Sequence, residues 1–206
     1  TPIAILVENQ DHRNWTAVMA PDPPGDAEAA AESAQKVTVP RPGHADLAGI
    51  EKHGFDDVRN VLERASARET VARVVGGAVC RHLLAEFGVE IHGRVMSIGS
   101  ACAEGGAGDG PVDPKDIDWE AVEASDVGCA DQQTADSMRA AIDQAREHGE
   151  SLGGTFEIWC WGVCPGLGGY ASLFDRLDGR LLGALGSIPA IKGVEVGSAF
   201  LNASLP

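Results

Sequence analysis

Apolar positions recur along this chain with two distinct periods. Val71, Val74, Val75, Ala78, Val79, Leu83 and Phe87 are spaced by three and four, which predicts a helix from about Ala67 to Phe87 with one broad buried face. Ser66 and Glu69 form a capping box in front of it, and Gly88 stands where a C′ residue belongs. A second helix is predicted over Thr134 to His148, ended by Gly149, and Leu177, Leu181, Leu182, Leu185 and Ile188 make a third apolar stripe. Pro2 to Glu8 and Val89 to Ile98 read as strands. So does Gly154 to Val163, where Phe156, Ile158 and Cys160 alternate with Glu157, Trp159 and Trp161 at the period of a half-buried strand. Gly193 to Val196 reads as a short returning strand. Helices and strands together imply an α/β arrangement with these stripes as its core.

Between the periodic segments, residues 21–36 (PDPPGDAEAAAESAQK) combine proline, small residues and acid, and predict a flexible loop. Residues 102–116, centred on AEGGAGDGPVDP, predict another. Pro165 to Gly169 lacks both the lysine of a P-loop and the spacing of a dinucleotide fingerprint, so a turn is expected there. The 206 residues, 44% apolar, are expected to form a single domain over 1–206 with a real core.

Net charge changes the picture. At −15 the chain is unsuited to nucleic acid, which demands a broad basic face. It has no run of eighteen apolar residues and no basic amphipathic helix, so no membrane partner is implied and a cytoplasmic protein is expected. Five irregularly spaced cysteines, Cys80, Cys102, Cys129, Cys160 and Cys164, do not make a secreted disulfide framework. Cys160 and Cys164 are a weak metal signal without a second pair, no metal is expected, and buried thiols in a strand are the preferred reading.

Between Lys36 and His82 the sign reverses, with eight Lys and Arg against six Asp and Glu. The helix start at Ser66 offers unpaired N–H groups and the positive end of a dipole, flanked by Arg64 and Arg68. These suit a phosphorylated or carboxylated small molecule. The competing reading pairs the arginines with Glu63, Asp57 and Glu69. His44, in the Pro42-Gly43-His44-Ala45-Asp46 turn, has the side chain best suited to move a proton near neutrality, although a lone loop histidine also serves as an ordinary surface group.

RPGHAD at Arg41 to Asp46 and ERASARET at Glu63 to Thr70 resemble the chorismate synthase family. The likeness continues in the same order through PGLGGY at Pro165 to Tyr170, FDRLDGRLLGAL at Phe174 to Leu185 and SIPAIKGVEVG at Ser187 to Gly197. TPIAILVENQDHRNW at Thr1 to Trp15 is similar to the strand and turn that precede RPGHAD in that family. The match is poorest between Cys102 and Gln133.

The resemblance implies an α+β fold, a β-α-β sandwich with helices between antiparallel sheets, assembled as a homotetramer. It implies a lyase that eliminates phosphate from 5-enolpyruvylshikimate 3-phosphate to give chorismate, with reduced FMN as cofactor. Some members of the family reduce the flavin with NADPH, others from an outside source. By the same resemblance His44 is an acid near the flavin and Arg41 and Arg68 contact the substrate. Arg64, Ala65 and Ser66, with Pro189 and Ala190, hold the flavin.

The chain also departs from the family pattern. It opens without the upstream glycine-serine-histidine motif, and LNASLP at its end does not continue as the family does. A fragment or truncated gene product is therefore expected, which leaves a second reading open: a remnant that only binds flavin or a phosphorylated ligand, or associates with intact subunits. Gly186 stands where methionine is usual, His53 where tyrosine is common, and Trp159-Cys160-Trp161 with Cys164 where the family carries no such residues.

Overall fold

The computed structural model describes residues 2–14, 16, 36–65, 67–105 and 112–205; the expected loop over 21–36, apart from Lys36, lies outside them, as does the centre of the one over 102–116. The chain divides into two compact units. One runs to Val79 and includes Ser187–Ile191; the other comprises Cys80–Gly186 and the residues from Lys192 onward.

The first unit is helical. A 3-10 turn, Gln10–Asn14, is followed by the helices Asp46–His53 and Arg59–Ala65 and by the first part of Ala67–Ala85. The two shorter helices pack at Gly49, where a Cβ would come 2.5 Å from Val61 Cγ1. Only glycine permits that approach. Val58 and Val61 are buried there, and Val58 N–H donates to Val37 O at 2.8 Å. Pro2 to Glu8 does not form the expected strand but runs as irregular chain with Ile3 and Leu6 exposed. A strand needs a neighbour to complete its hydrogen-bond ladder, and this unit has none among its described residues.

The helix Ala67–Ala85 forms as its periodicity predicts. Gly88 takes φ 71°, with Gly88 N–H on Ala85 O and Val89 N–H on Leu84 O, a Schellman closure that satisfies orphan carbonyls. Its apolar stripe, however, is not buried: Val74 and Leu83 are 65% and 60% exposed, and Val71 and Val79 are exposed as well. Ser66, the predicted cap, lies outside the described residues.

The second unit holds the sheet. β1 (Glu90–Ile98) lies between β2 (Ala101–Cys102) and β3 (Gly154–Trp161), all antiparallel. β1 pairs with β3 from Glu90↔Trp161 to Ile98↔Gly154, with an irregularity between Val95 and Ser97. There Val95 N–H turns to Gly128 O at 2.9 Å, and Met96 is buried. Ala103, Cys129, Ala135 and Met138 form the core, with Val95, Ile98, Ala101 and Val127 packed on it. The helix Gln132–His148 supplies Ala135 and Met138; Asp131 caps its start by accepting from Thr134 N–H, and Gly149 ends it at φ 67°.

β3 alternates as predicted, but with the opposite face covered. Phe156 and Ile158 are 45% and 47% exposed, whereas Glu157, Trp159 and Trp161 are half-buried. Cross-strand partners explain the reversal. Arg94 Nε donates to Glu157 Oε1 at 2.6 Å, Trp161 Nε1 donates to Glu90 Oε2 at 2.9 Å, and His92 stacks on Trp161 with centroids 4.9 Å apart. Trp119, on the helix Trp119–Ala124, closes over both rings.

Pro165–Gly169 is a turn, as expected, and Gly168 takes φ 83° so that the loop can lie against Asp175 O and Leu177. The helix Leu177–Gly186 follows, with Leu181 exposed and Leu177, Leu182 and Leu185 half-covered. Gly193 to Val196 is not a strand; the chain turns toward the short helix Ala199–Asn202, where Phe200 N–H donates to Glu195 Oε2. All five cysteines are free thiols, and only Cys129 is buried. The expectation of buried strand thiols therefore fails for Cys160, on the open face of β3, and for Cys164, in the loop beyond it.

Candidate functional site: a basic loop and helix start

The loop before the helix Asp46–His53 is built around one buried carboxylate. Asp46 is 0% exposed. Its Oδ2 accepts from Arg41 N–H and Arg41 Nε, each at 2.9 Å, and its Oδ1 accepts from Arg41 Nη2 at 3.1 Å. A fully enclosed charge requires such a partner. The hydrogen bonds from Arg41 hold the Asp46 carboxyl below its ordinary value despite burial, and the same bonds raise the Arg41 guanidinium. Arg41 Nη1 keeps both its N–H bonds free of partners among the described residues.

Gly43 takes φ 71° and lets the chain double back so that His44 N–H meets Arg41 O. The exposed His44 ring places Nδ1 2.9 Å from Pro42 O. A carbonyl can only accept, so Nδ1 carries the proton and Nε2 is the nitrogen left to take one. Arg41, His44 and Asp46 therefore form one local assembly.

Arg64 sits exposed in the last turn of Arg59–Ala65, beside Ala65 and just before Ala67–Ala85. Two of the acids that could have absorbed the arginines are taken by others. Asp57 is bound in a fork by Arg59, with Nη2 to Oδ2 at 2.6 Å, and Glu69 accepts from Arg73 Nε at 2.5 Å. Arg64 has no partner among the described residues, while Ser66 and the side chain of Arg68 lie outside them. Arg73 Nη1 also donates to Ser187 Oγ at 2.8 Å, which ties the segment carrying Pro189 and Ala190 to this helix. Ala190, at φ 72°, is the one described non-glycine residue with positive φ. Backbone strain of that kind gathers at ligand sites. Sequence reasoning missed Asp46 and Arg73; the former had a signal in its place five residues after Arg41, the latter none, since Ser187 is remote in sequence.

The Asp57–Arg59 fork gives a pH prediction. Arg59 holds the folded Asp57 carboxyl below its ordinary value, so the unfolded chain protonates first, near pH 3.9. The stabilisation is present above that pH and is lost as pH falls through the folded value. Urea midpoints should fall between pH 5 and pH 3, less steeply in Asp57→Asn; parallel curves would contradict this.

The described residues thus bring together, in an α+β chain, a buried Asp46–Arg41 loop and an adjacent histidine, with Arg64 in the last turn of Arg59–Ala65 unpartnered among the described residues. Comparison supplies the class. The chorismate synthase family model matches residues 1–206. A chorismate synthase of Desulforudis audaxviator (strain MP104C) is 50% identical over 204 residues, 99% of this chain and 50% of the relative. One of Streptomyces coelicolor is 47% identical over 209 residues, 100% of this chain and 52% of the relative. A crystal structure of chorismate synthase superposes with a TM-score of 0.73 at 43% identity, covering 78% of this chain and 49% of that one. The chain belongs to the chorismate synthase family. It spans about half the length of the relatives it matches.

Proposed function

We propose that this chain carries the RPGHAD portion of a chorismate synthase, a lyase that eliminates phosphate from 5-enolpyruvylshikimate 3-phosphate to give chorismate. Beyond family membership, the observation that carries this reading is the Arg41–His44–Asp46 assembly. A substrate with one phosphate and two carboxylates needs fixed cations, and a protein at −15 must concentrate them in one place. Arg41, with Nη1 open, and Arg68 bind those anions. His44, with Nε2 open, holds or delivers a proton beside them.

Reduced FMN belongs to the same reading. The residues present fit it: Arg64 offers an open cation, Glu69 keeps Oε2 shielded from solvent with no hydrogen-bond partner among the described residues, and Ala190 holds a strained turn. A flavin carries a phosphate for the first and N–H and O–H donors for the second. Arg64, Ala65 and Ser66 with Pro189 and Ala190 would hold it, and when bound it supplies electron density for breaking the C–O bond. The protein's share is position and charge compensation. A homotetramer and a cytoplasmic location complete the proposal; no helix among the described residues is long and apolar enough to cross a membrane.

The test is anaerobic mixing of this polypeptide with chemically reduced FMN and 5-enolpyruvylshikimate 3-phosphate, following the flavin spectrum and chorismate together. Chorismate in multiple turnovers supports the proposal. Neither a spectral change nor chorismate overturns it for this chain.

A further inference from the structure

Asp46 is the most enclosed charged group among the described residues, and its hydrogen bonds all run to one side chain and one backbone N–H of the same residue. Burying a carboxylate is costly, and a salt bridge of this kind is weak evidence for stability in itself. Its geometry is more informative. Both carboxylate oxygens engage the Nε and Nη2 edge of the Arg41 guanidinium, in the two-point manner that fixes the plane of the fork as well as its distance. The backbone N–H of Arg41 takes a further bond to the same oxygen, which closes the loop from Arg41 to Asp46. Within that closed loop lie Gly43, at φ 71°, and His44, whose N–H returns to Arg41 O.

We infer that Asp46 is a positioning residue: it locks the Arg41 fork so that the Nη1 edge is presented to an anionic ligand, and closes the loop that carries His44. This rests on the proposed role of Arg41 in binding 5-enolpyruvylshikimate 3-phosphate. Arg41 is 44% exposed at its side chain, and a free arginine there would sample many rotamers and lose that freedom on binding. Anchored through one edge, it meets the ligand already ordered. Asp46 touches no ligand itself, because it is wholly enclosed and its hydrogen bonds all come from Arg41.

The test is calorimetric titration of 5-enolpyruvylshikimate 3-phosphate into the wild type, Asp46→Asn, Arg41→Gln and the double variant. It is joined to ¹⁵N NMR of the Arg41 Nε–H in the unliganded wild type. Asp46→Asn should weaken binding by about 10–100-fold, the scale of lost charge-assisted hydrogen bonds. The double variant should bind no more weakly than Arg41→Gln alone, since both changes disable one device. The Nε–H should be exchange-protected and motionally restricted before any ligand is added. A merely structural role would lower the thermal midpoint of Asp46→Asn yet leave its effect on binding independent of Arg41. A folded Asp46→Asn with wild-type affinity, additive losses in the double variant, or a mobile Nε–H in the wild type each overturns the inference. The NMR reading needs no variant to fold. A wild type that takes up no substrate while its Nε–H is ordered refutes the substrate reading, and with it the ligand-presenting role; a wild type that binds while Asp46→Asn binds equally well refutes the positioning role alone.

Discussion

Under the proposed function, replacing His44 by alanine is expected to lower chorismate formation by about 10²–10⁴-fold, the usual worth of a positioned general acid or base. The affinity for reduced FMN should change far less. The expectation follows from which nitrogen is free. Nδ1 is committed to Pro42 O at 2.9 Å, so Nε2 is the only ring atom that can exchange a proton with a ligand. The ring is exposed, and an exposed substitution of this kind shifts stability by no more than about 0.5 kcal/mol, so lost turnover would not reflect lost folding. His44→Asn sharpens the test, because an asparagine amide can still donate to Pro42 O but has no second ring nitrogen to accept a proton. Asparagine should be as inactive as alanine. Recovery of turnover by asparagine would show that His44 only braces the loop, and equal loss of flavin binding and turnover would remove the proton role.

The second large effect is on stability. Met138→Ala should cost about 2–5 kcal/mol, the range for emptying a large buried side chain. Met138 is 0% exposed and its core partners Ala103, Cys129 and Ala135 are small and themselves enclosed. These short side chains cannot swing inward to refill the space, and how far Val95, Ile98 and Val127, packed on the same core, can close over it sets where in that range the cost falls. Met138→Leu conserves volume and should cost less than about 1.5 kcal/mol. Urea unfolding of both variants, followed by tryptophan fluorescence, measures the difference directly. Trp119 and Trp161 report on the same unit through their contacts with His92. A midpoint for Met138→Ala indistinguishable from that of Met138→Leu would mean the core re-closes and the cavity argument fails.

The candidate site was partly legible in the sequence. Arg41 and His44 stand in one short motif, and a motif's local geometry travels with it, so their juxtaposition needed no tertiary information. Arg64 could be named from the sequence, but that it has no partner among the described residues could not, because Asp57 goes to Arg59 and Glu69 to Arg73 only in the folded chain. The tie from Arg73 to Ser187 joins residues 114 apart in sequence, and no periodicity marks such a pair.

The sequence by itself determined the helices Ala67–Ala85 and Gln132–His148 with their glycine closures, and the strands Glu90–Ile98 and Gly154–Trp161. A helix completes its hydrogen bonds within its own segment, and a left-handed glycine ends it on the spot, so both are written locally. Tertiary structure alone decided that Pro2 to Glu8 stays irregular, that the apolar stripe of Ala67–Ala85 lies open, and that β3 turns Trp161 and Glu157 inward while Phe156 and Ile158 face out. A strand exists only beside a partner, and a face is covered only by what folds against it. Trp119 and Arg94 outcompeted the apolar face of β3 through contacts that no spacing rule records.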